Sequence, residues 1–143
     1  MTMEEQLKII DAQKEISKLN KKIAISQEKI NNLNFYIEKK EVLLYKKVNQ
    51  EKYYGRDGIW HDDKNVEIYL YYDGVKVDCE SFLCSLIDKY SIFTIFEGQN
   101  PWFIKENDPM WNLLTVEFIK SLEEKIQESQ EAIEKIKEKF ERR

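Results

Sequence analysis

The residues with the greatest potential for chemistry lie in one short stretch, GRDGIWHDDKN, at positions 55–65. His61, Asp62 and Asp63 carry the kinds of atoms that bind a divalent metal, so a metal-dependent hydrolase is one hypothesis. Three consecutive side chains cannot all reach one ion from a regular backbone, and the stretch is therefore more typical of a solvated polar turn before a strand. His61 is the only histidine in the chain, which excludes a zinc cluster of cysteines and histidines.

The other reactive side chains offer no further site. Cys79 and Cys84 are the only cysteines, and they lie five residues apart in a segment that reads as helix. They then point to different faces, so we expect two reduced thiols, at least one of them buried. Gly55 and Gly58 are too few for a phosphate-binding loop. The sequence thus predicts a protein without enzymatic activity and without a cofactor.

A seven-residue repeat of apolar side chains runs through the first third of the chain. Its members are Ile9, Ile16, Ile23, Ile30, Ile37 and Leu44, and no glycine or proline occurs before Gly55. This spacing is typical of a coiled coil, so we expect residues 1–52 to form one N-terminal coiled-coil helix. A second repeat predicts a C-terminal helix over residues 108–143, with Asp108-Pro109 as its start signal.

The polar residues inside these two repeats predict how the helices pair. If the chain folds back with Ser26 level with Ser129, polar residues face each other and the remaining layers are apolar. A slip of one heptad would bury each serine against a large aliphatic side chain, at a cost of about 1–2 kcal/mol. We therefore expect an antiparallel helical hairpin within one chain. A parallel dimer of the long helix is the alternative, because repeated isoleucine also suits self-association.

Some apolar residues have no partner within such a hairpin. Leu7, Ile9 and Ile10 lie beyond the end of the C-terminal helix, and Phe35 and Val42 form a second apolar face on the first helix. An apolar face wider than one coiled-coil seam must be covered by the rest of the chain, by a second copy, or by both. These five residues are accordingly the predicted contacts of a homodimer.

Between the helices, residues 53–107 form a predicted small ββαβ head. Val66, Ile68, Leu70 and Tyr72 alternate along a strand, Asp73-Gly74 is a tight-turn dipeptide, and Val75 and Val77 continue the buried side. Asp78 is the predicted cap of a short helix. The buried stripe of that helix is Phe82, Leu83, Leu86, Ile87 and Tyr90, and residues 91–96 form the predicted third strand. The fold class is α+β, a long antiparallel coiled-coil stalk with this head inserted between its helices.

The head is both acidic and aromatic. Residues 53–112 hold 5 Lys and Arg against 11 Asp and Glu, a net charge of −6, which opposes direct binding to nucleic acid. Alternation places Tyr69 and Tyr71 opposite the buried side, near Glu67, Asp73 and Asp78, and these five residues form the predicted partner-binding surface. The chain has no apolar run long enough to span a membrane and an N-terminus unlike a signal peptide, so we expect a cytoplasmic protein.

These features lead to three functional hypotheses. The first is a non-enzymatic, homodimeric interaction protein whose acidic head binds and inhibits a host protein. Richness in Lys, Asn, Ile and Tyr fits an AT-rich genome, as in a phage or mobile element that encodes an anti-defence protein. The alternative is a binder of a small, nucleotide-like ligand held by Arg56, Trp60, Tyr69 and Trp102. The third is the metal-dependent hydrolase that uses His61, Asp62 and Asp63.

Overall fold

The computed structural model describes residues 2–86 and 100–141, and it confirms a mixed α+β fold. A long helix α1 (Met3–Lys39) is followed by strands β1 (Glu41–Tyr54), β2 (Trp60–Tyr72) and β3 (Val75–Asp78), and by helix α2 (Glu80–Leu86). Strand β4 (Trp102–Lys105) then leads to a short helix α3 (Met110–Asn112), a π-helical turn (Leu113–Glu117) and helix α4 (Phe118–Glu141). The four strands form one antiparallel sheet in the order β3-β2-β1-β4.

Helix α1 is much shorter than the sequence predicts. It begins at a side-chain cap, where the hydroxyl of Thr2 accepts a hydrogen bond from the N–H of Glu5 at 3.2 Å. It ends because Lys40 adopts the left-handed conformation (φ 61°) and donates its N–H to the carbonyl of Tyr36. The predicted helix through residue 52 is therefore wrong after Lys39, and residues 41–54 form strand β1 instead.

Strand β1 lies in the middle of the sheet, between β2 and β4. Val42 and Leu44 alternate with Leu43 and Tyr45, and the first two are completely buried on the face that packs against the helices. We call this the inner face of the sheet. The segment after Asn100, which the sequence analysis assigns to no strand, pairs with β1 as β4. The predicted ββαβ head is thus incomplete, and its predicted strand at 91–96 lies outside the described residues.

The predicted hairpin of β2 and β3 is confirmed. Asp73 (φ 48°) and Gly74 (φ 83°) both have positive φ, as the turn type that matches the twist of two antiparallel strands requires. Ile68, Leu70 and Val77 are buried on the inner face, as alternation predicts.

The short helix after this hairpin is confirmed in part. The carboxylate of Asp78 accepts a hydrogen bond from the N–H of Glu80 at 3.1 Å, at the start of α2. Leu83 is buried, but the prediction for Leu86 is wrong, because its side chain is 54% exposed. Ile87 and Tyr90 lie outside the described residues.

The two long helices pack against each other. They run antiparallel, as the sequence predicts, because Lys8 and Ala12 near the start of α1 line a groove with Ile136 near the end of α4. Gln27 and Ile30 of α1 line the same groove as Ile126 and Gln127 of α4, and Ser26 and Ser129 are both buried. The C-terminal helical segment starts close to its predicted cap, since the carboxylate of Asp108 accepts the N–H of Met110 at 3.0 Å.

Sheet and helices share one apolar core. Leu33 and Tyr36 of α1 lie in the same cluster as Leu44 and Leu70 of the sheet and Leu114 of the π-helical turn. The hydroxyl of Tyr36 donates to the carbonyl of Val75 at 2.7 Å, which satisfies its buried polar atom. This core holds the sheet rigidly on the helix pair. Among the described residues, no helix combines the length and the apolar character needed to cross a membrane.

Candidate functional site

The sheet has a second face, the outer face, which carries aromatic side chains. Antiparallel pairing puts residues that lie opposite each other on the same face. Tyr45 lies opposite Tyr69, and Leu43 lies opposite both Tyr71 of β2 and Phe103 of β4. We call these five residues the tyrosine face. None of them is buried, and Tyr71 is 36% and Phe103 42% exposed.

The tyrosines of this face hold one another in place. The rings of Tyr45 and Tyr69 are stacked, with centroids 5.2 Å apart and planes 8° apart. Tyr71 meets Tyr45 edge-on at 6.1 Å. Such ring pairs add about 0.5–1.5 kcal/mol beyond the area they bury. The strands beneath are backed by the apolar core, so the tyrosine face is a rigid surface.

The charges around the tyrosine face are mixed, and the expectation of an acidic surface is wrong. Lys76 places its ammonium group 4.4 Å from the ring centroid of Tyr69 and 4.0 Å from the carboxylate of Glu67. Lys47 pairs with Glu67 across the strands, and Lys105 lies 5.5 Å from the ring centroid of Phe103. Three lysines therefore accompany Glu67 and Asp78 on this face, and the ammonium groups of Lys76 and Lys105 lie over aromatic rings.

Four of the five predicted partner-binding residues lie on this face. Glu67, Tyr69, Tyr71 and Asp78 alternate onto it as predicted, while Asp73 lies in the β2–β3 turn. The sequence analysis missed Leu43 and Tyr45 because it assigned them to helix, and missed Phe103 because it assigned β4 to no strand. The signal that could have found them is the continuous apolar run of residues 42–45, which suits a buried strand as well as a buried helix.

The predicted ligand-binding residues do not converge on one pocket. Trp60 pairs with Tyr54, whereas Trp102 pairs with Leu44, ten residues away along the same strand. At roughly 3.3 Å per residue this places the two tryptophans about 33 Å apart. Arg56 lies in the loop beside Trp60. Tyr69 lies at the same end of the sheet as Trp102 but on the opposite face, because Trp102 pairs with Leu44 and packs against the core. The structure thus divides the set between two distant ends of the sheet.

The predicted metal ligands lie at the tip of the β1–β2 hairpin and do not converge either. His61 and Asp62 are neighbours in β2, so their side chains point to opposite faces. The Nε2 atom of His61 lies 2.9 Å from the carboxylate of Asp57, and this contact, with a hydrogen bond from the N–H of Ile59, lowers the pKa of Asp57. The side chain of Asp63 is outside what the structure describes. Among the described residues, no group of three His, Cys, Asp or Glu side chains is arranged to hold a metal.

The predicted dimer contacts differ in how far they are exposed. Leu7 and Ile10 are 55% and 46% exposed near the start of α1, and Ile9 is half-buried. Val42 is completely buried in the sheet, so its assignment to a dimer surface is wrong. Phe35 packs against the core and contacts the rings of Tyr36 and Tyr72.

The two cysteines are free thiols in different environments, as expected. Cys79 is buried and Cys84 is exposed. The thiol of Cys79 donates to the carbonyl of Ile68 at 3.6 Å, and burial, followed by the nearby charge of Asp78, raises its pKa well above the usual range. A protonated thiol in this position is a poor nucleophile.

Comparison of the chain with protein-family models, with curated proteins and with solved structures finds no match.

Proposed function

We propose that the chain is a non-enzymatic protein-binding module, in which the helix pair carries a sheet whose tyrosine face binds a partner protein. The observation that supports this most directly is the cluster of partly exposed aromatic rings on a rigid sheet. Tyrosine is enriched at binding hot spots, because its ring offers a large contact area and loses little conformational entropy on binding.

The charges around the face favour a protein partner over nucleic acid. Glu67 and Asp78 lie on the same face as the lysines, so a phosphate backbone would meet carboxylates as well as ammonium groups. A protein surface that carries both basic and acidic side chains can form ion pairs with these carboxylates and with the lysines. Protein interfaces commonly have a centre enriched in aromatic residues and a polar, solvent-accessible rim, and this face has the same arrangement.

The proposal is tested by replacing two rings of the face. Tyr69→Ala with Tyr71→Ala should lower affinity for the partner more than tenfold, because aromatic anchors of an interface contribute about 2 kcal/mol or more each. The free energy of unfolding should change by only about 1–2 kcal/mol, since neither ring belongs to the buried core. Partners are captured from the lysate of the source organism with the wild-type chain, and their affinities are then measured by calorimetry.

The matched control is Tyr54→Ala with Trp60→Ala, which removes two exposed aromatic rings at the tip of the β1–β2 hairpin. This control should keep the affinity of the wild type. A partner that binds the Tyr69/Tyr71 variant normally and loses affinity for the control variant would contradict the proposal.

A further inference from the structure

Strands β1 and β2 extend well beyond the other two strands. Within the described residues, β4 pairs with β1 over residues 41–44 alone, and β3 pairs with β2 over residues 69–72 alone. Residues 46–54 and 60–68 therefore form a two-stranded ribbon, which at roughly 3.3 Å per residue projects about 26 Å from the sheet. We call residues 46–68 the ribbon. Its tip is apolar and exposed, with Tyr53 at 54%, Ile59 at 59% and Trp60 at 67% exposure.

One edge of the ribbon presents backbone groups for a further strand. The side chain of Asn100 binds both backbone groups of Lys46, accepting from its N–H at 3.1 Å and donating to its carbonyl at 2.8 Å. Backbone groups alternate between the two edges of a strand, so those of Val48, Gln50 and Lys52 face the same edge. In the described part of the chain, no strand pairs with β1 on this edge beyond Leu44. Such an edge is a template for strand addition, and a two-stranded ribbon alone is only marginally stable.

We propose that this edge pairs antiparallel with the same edge of a second copy of the chain, with Gln50 on the twofold axis. The backbone groups of Val48, Gln50 and Lys52 can pair with those of a second copy when the twofold axis passes through residue 49, 50 or 51. We call that residue the centre of the register. A centre at Asn49 requires Lys46 to pair with Lys52, but Asn100 already binds the backbone groups of Lys46, so this register keeps fewer ladder bonds than one centred on Gln50. A centre at Glu51 places two glutamates opposite each other. Like charges directly opposite each other are destabilising. The register centred on Gln50 opposes no like charges, since Lys47 meets Tyr53, Val48 meets Lys52 and Asn49 meets Glu51.

The overall charge of the ribbon also favours a second copy of the chain as the partner of this edge. Five basic residues are balanced by five acidic ones, namely Lys46, Lys47, Lys52, Arg56 and Lys64 against Glu51, Asp57, Asp62, Asp63 and Glu67. A neutral surface that alternates in sign does not attract a strongly charged partner, but it can match a copy of itself. The ladder ends next to Lys46, whose backbone groups Asn100 already binds.

The dimer changes the surroundings of the tyrosine face. Tyr53 shares the outer face with Tyr45, and in the register centred on Gln50 it reaches Lys47 of the second copy. Its exposed ring then lies beside the tyrosine face of that copy. Antiparallel pairing about an axis perpendicular to the sheet also turns both tyrosine faces to the same side. The assembled dimer presents two copies of this face on one continuous sheet.

The decisive variant is Gln50→Glu. Within the chain, residue 50 lies opposite residue 64, a lysine, in the register of β1 and β2, so the new carboxylate faces no like charge there. In the dimer it places two carboxylates face to face on the axis. Sedimentation velocity should show the wild type at twice the 17.3 kDa of the chain. The variant should dissociate at protein concentrations at least tenfold higher. Glu51→Gln, its matched control, should sediment like the wild type.

A disulfide test reports the register itself, with Cys84→Ser as background. Gln50→Cys places two thiols on the axis, with Cα atoms about 5.5 Å apart, and it should cross-link two chains on oxidation. Asn49→Cys places its Cα atoms about 7–8 Å apart and should cross-link poorly. A wild-type monomer at every concentration, an unaffected Gln50→Glu dimer, or better cross-linking at residue 49 would overturn the proposal. So would a dimer that is lost in Leu7→Lys with Ile10→Lys and retained in Gln50→Glu.

Discussion

At the scale of single residues, Cys79 links burial to the pH dependence of stability. Its thiol is almost completely buried, and burial raises its pKa above the value of about 8.5 that an unfolded chain shows. Above that pH the unfolded state loses a proton that the folded state keeps. The thiol therefore contributes stability at neutral pH, and this contribution declines as the pH rises through the alkaline range.

We expect the free energy of unfolding to fall between pH 8.5 and 10 with a slope of up to about 1.4 kcal/mol per pH unit from this one group. In Cys79→Ala that part of the slope should vanish, while the control Cys84→Ser, which replaces the exposed cysteine, should keep it. Urea unfolding at a series of pH values measures the slopes. Equal slopes in the wild type and in Cys79→Ala would show that the folded chain ionises this thiol readily.

Single residues also show what the sequence could predict. The faces of Ile68, Tyr69, Leu70 and Tyr71 follow from alternation along a strand with one buried side, and the structure confirms them. The end of α1 at Lys40 could not be predicted in the same way. Lysine has no intrinsic preference for positive φ, and tertiary contacts impose this conformation.

At the scale of elements, the missed strand β1 has an identifiable cause. Leu44 continues the seven-residue repeat, but Lys40 and Lys47 occupy the intervening apolar positions, so the last two heptads are defective. Residues 42–45 form a continuous apolar run that suits a buried strand as well as a helix, and pairing with β2 and β4 favours the strand. The choice between helix and strand is therefore made by tertiary pairing, which one chain segment does not encode by itself.

The pairing of α1 with α4 gives a prediction for the two buried serines. Ser26 and Ser129 lie within the helix pair at 7% and 8% exposure. Replacing both by leucine should raise the free energy of unfolding by about 1–3 kcal/mol, because each new side chain buries apolar surface. Thermal unfolding should show a higher melting temperature for the double variant than for either single variant.

The same serines report the register of the helices. Ser26→Cys with Ser129→Cys should cross-link within one chain on oxidation. Ser26→Cys with Ile136→Cys, which lies one heptad further along α4, should not. Cross-links that form only between chains would mean that the helices pair between copies, and an efficient link to residue 136 would mean a slipped register.

At the scale of the whole molecule, the two proposed surfaces are separable. The tyrosine face lies over the common core, whereas none of the described side chains of the ribbon beyond Val48 and Val66 belongs to that core. Regions with few buried contacts add little to global stability. One copy of the chain can therefore fold and present the tyrosine face without the outer part of the ribbon.

This separation is tested by replacing residues 50–64 with Asn-Gly, which closes a tight turn between Asn49 and Asn65, a directly paired position of the two strands. The shortened chain should keep its free energy of unfolding within about 1 kcal/mol of the wild type, because none of the described side chains that are lost belongs to the buried core. It should sediment as a monomer, because Gln50 and Lys52 are gone, and one copy should still bind the partner through Tyr69 and Tyr71. Tyr69→Ala with Tyr71→Ala should show the reverse, a dimer that has lost its partner. A shortened chain that still dimerises would place the interface elsewhere, and one that fails to fold would make the ribbon part of the cooperative core.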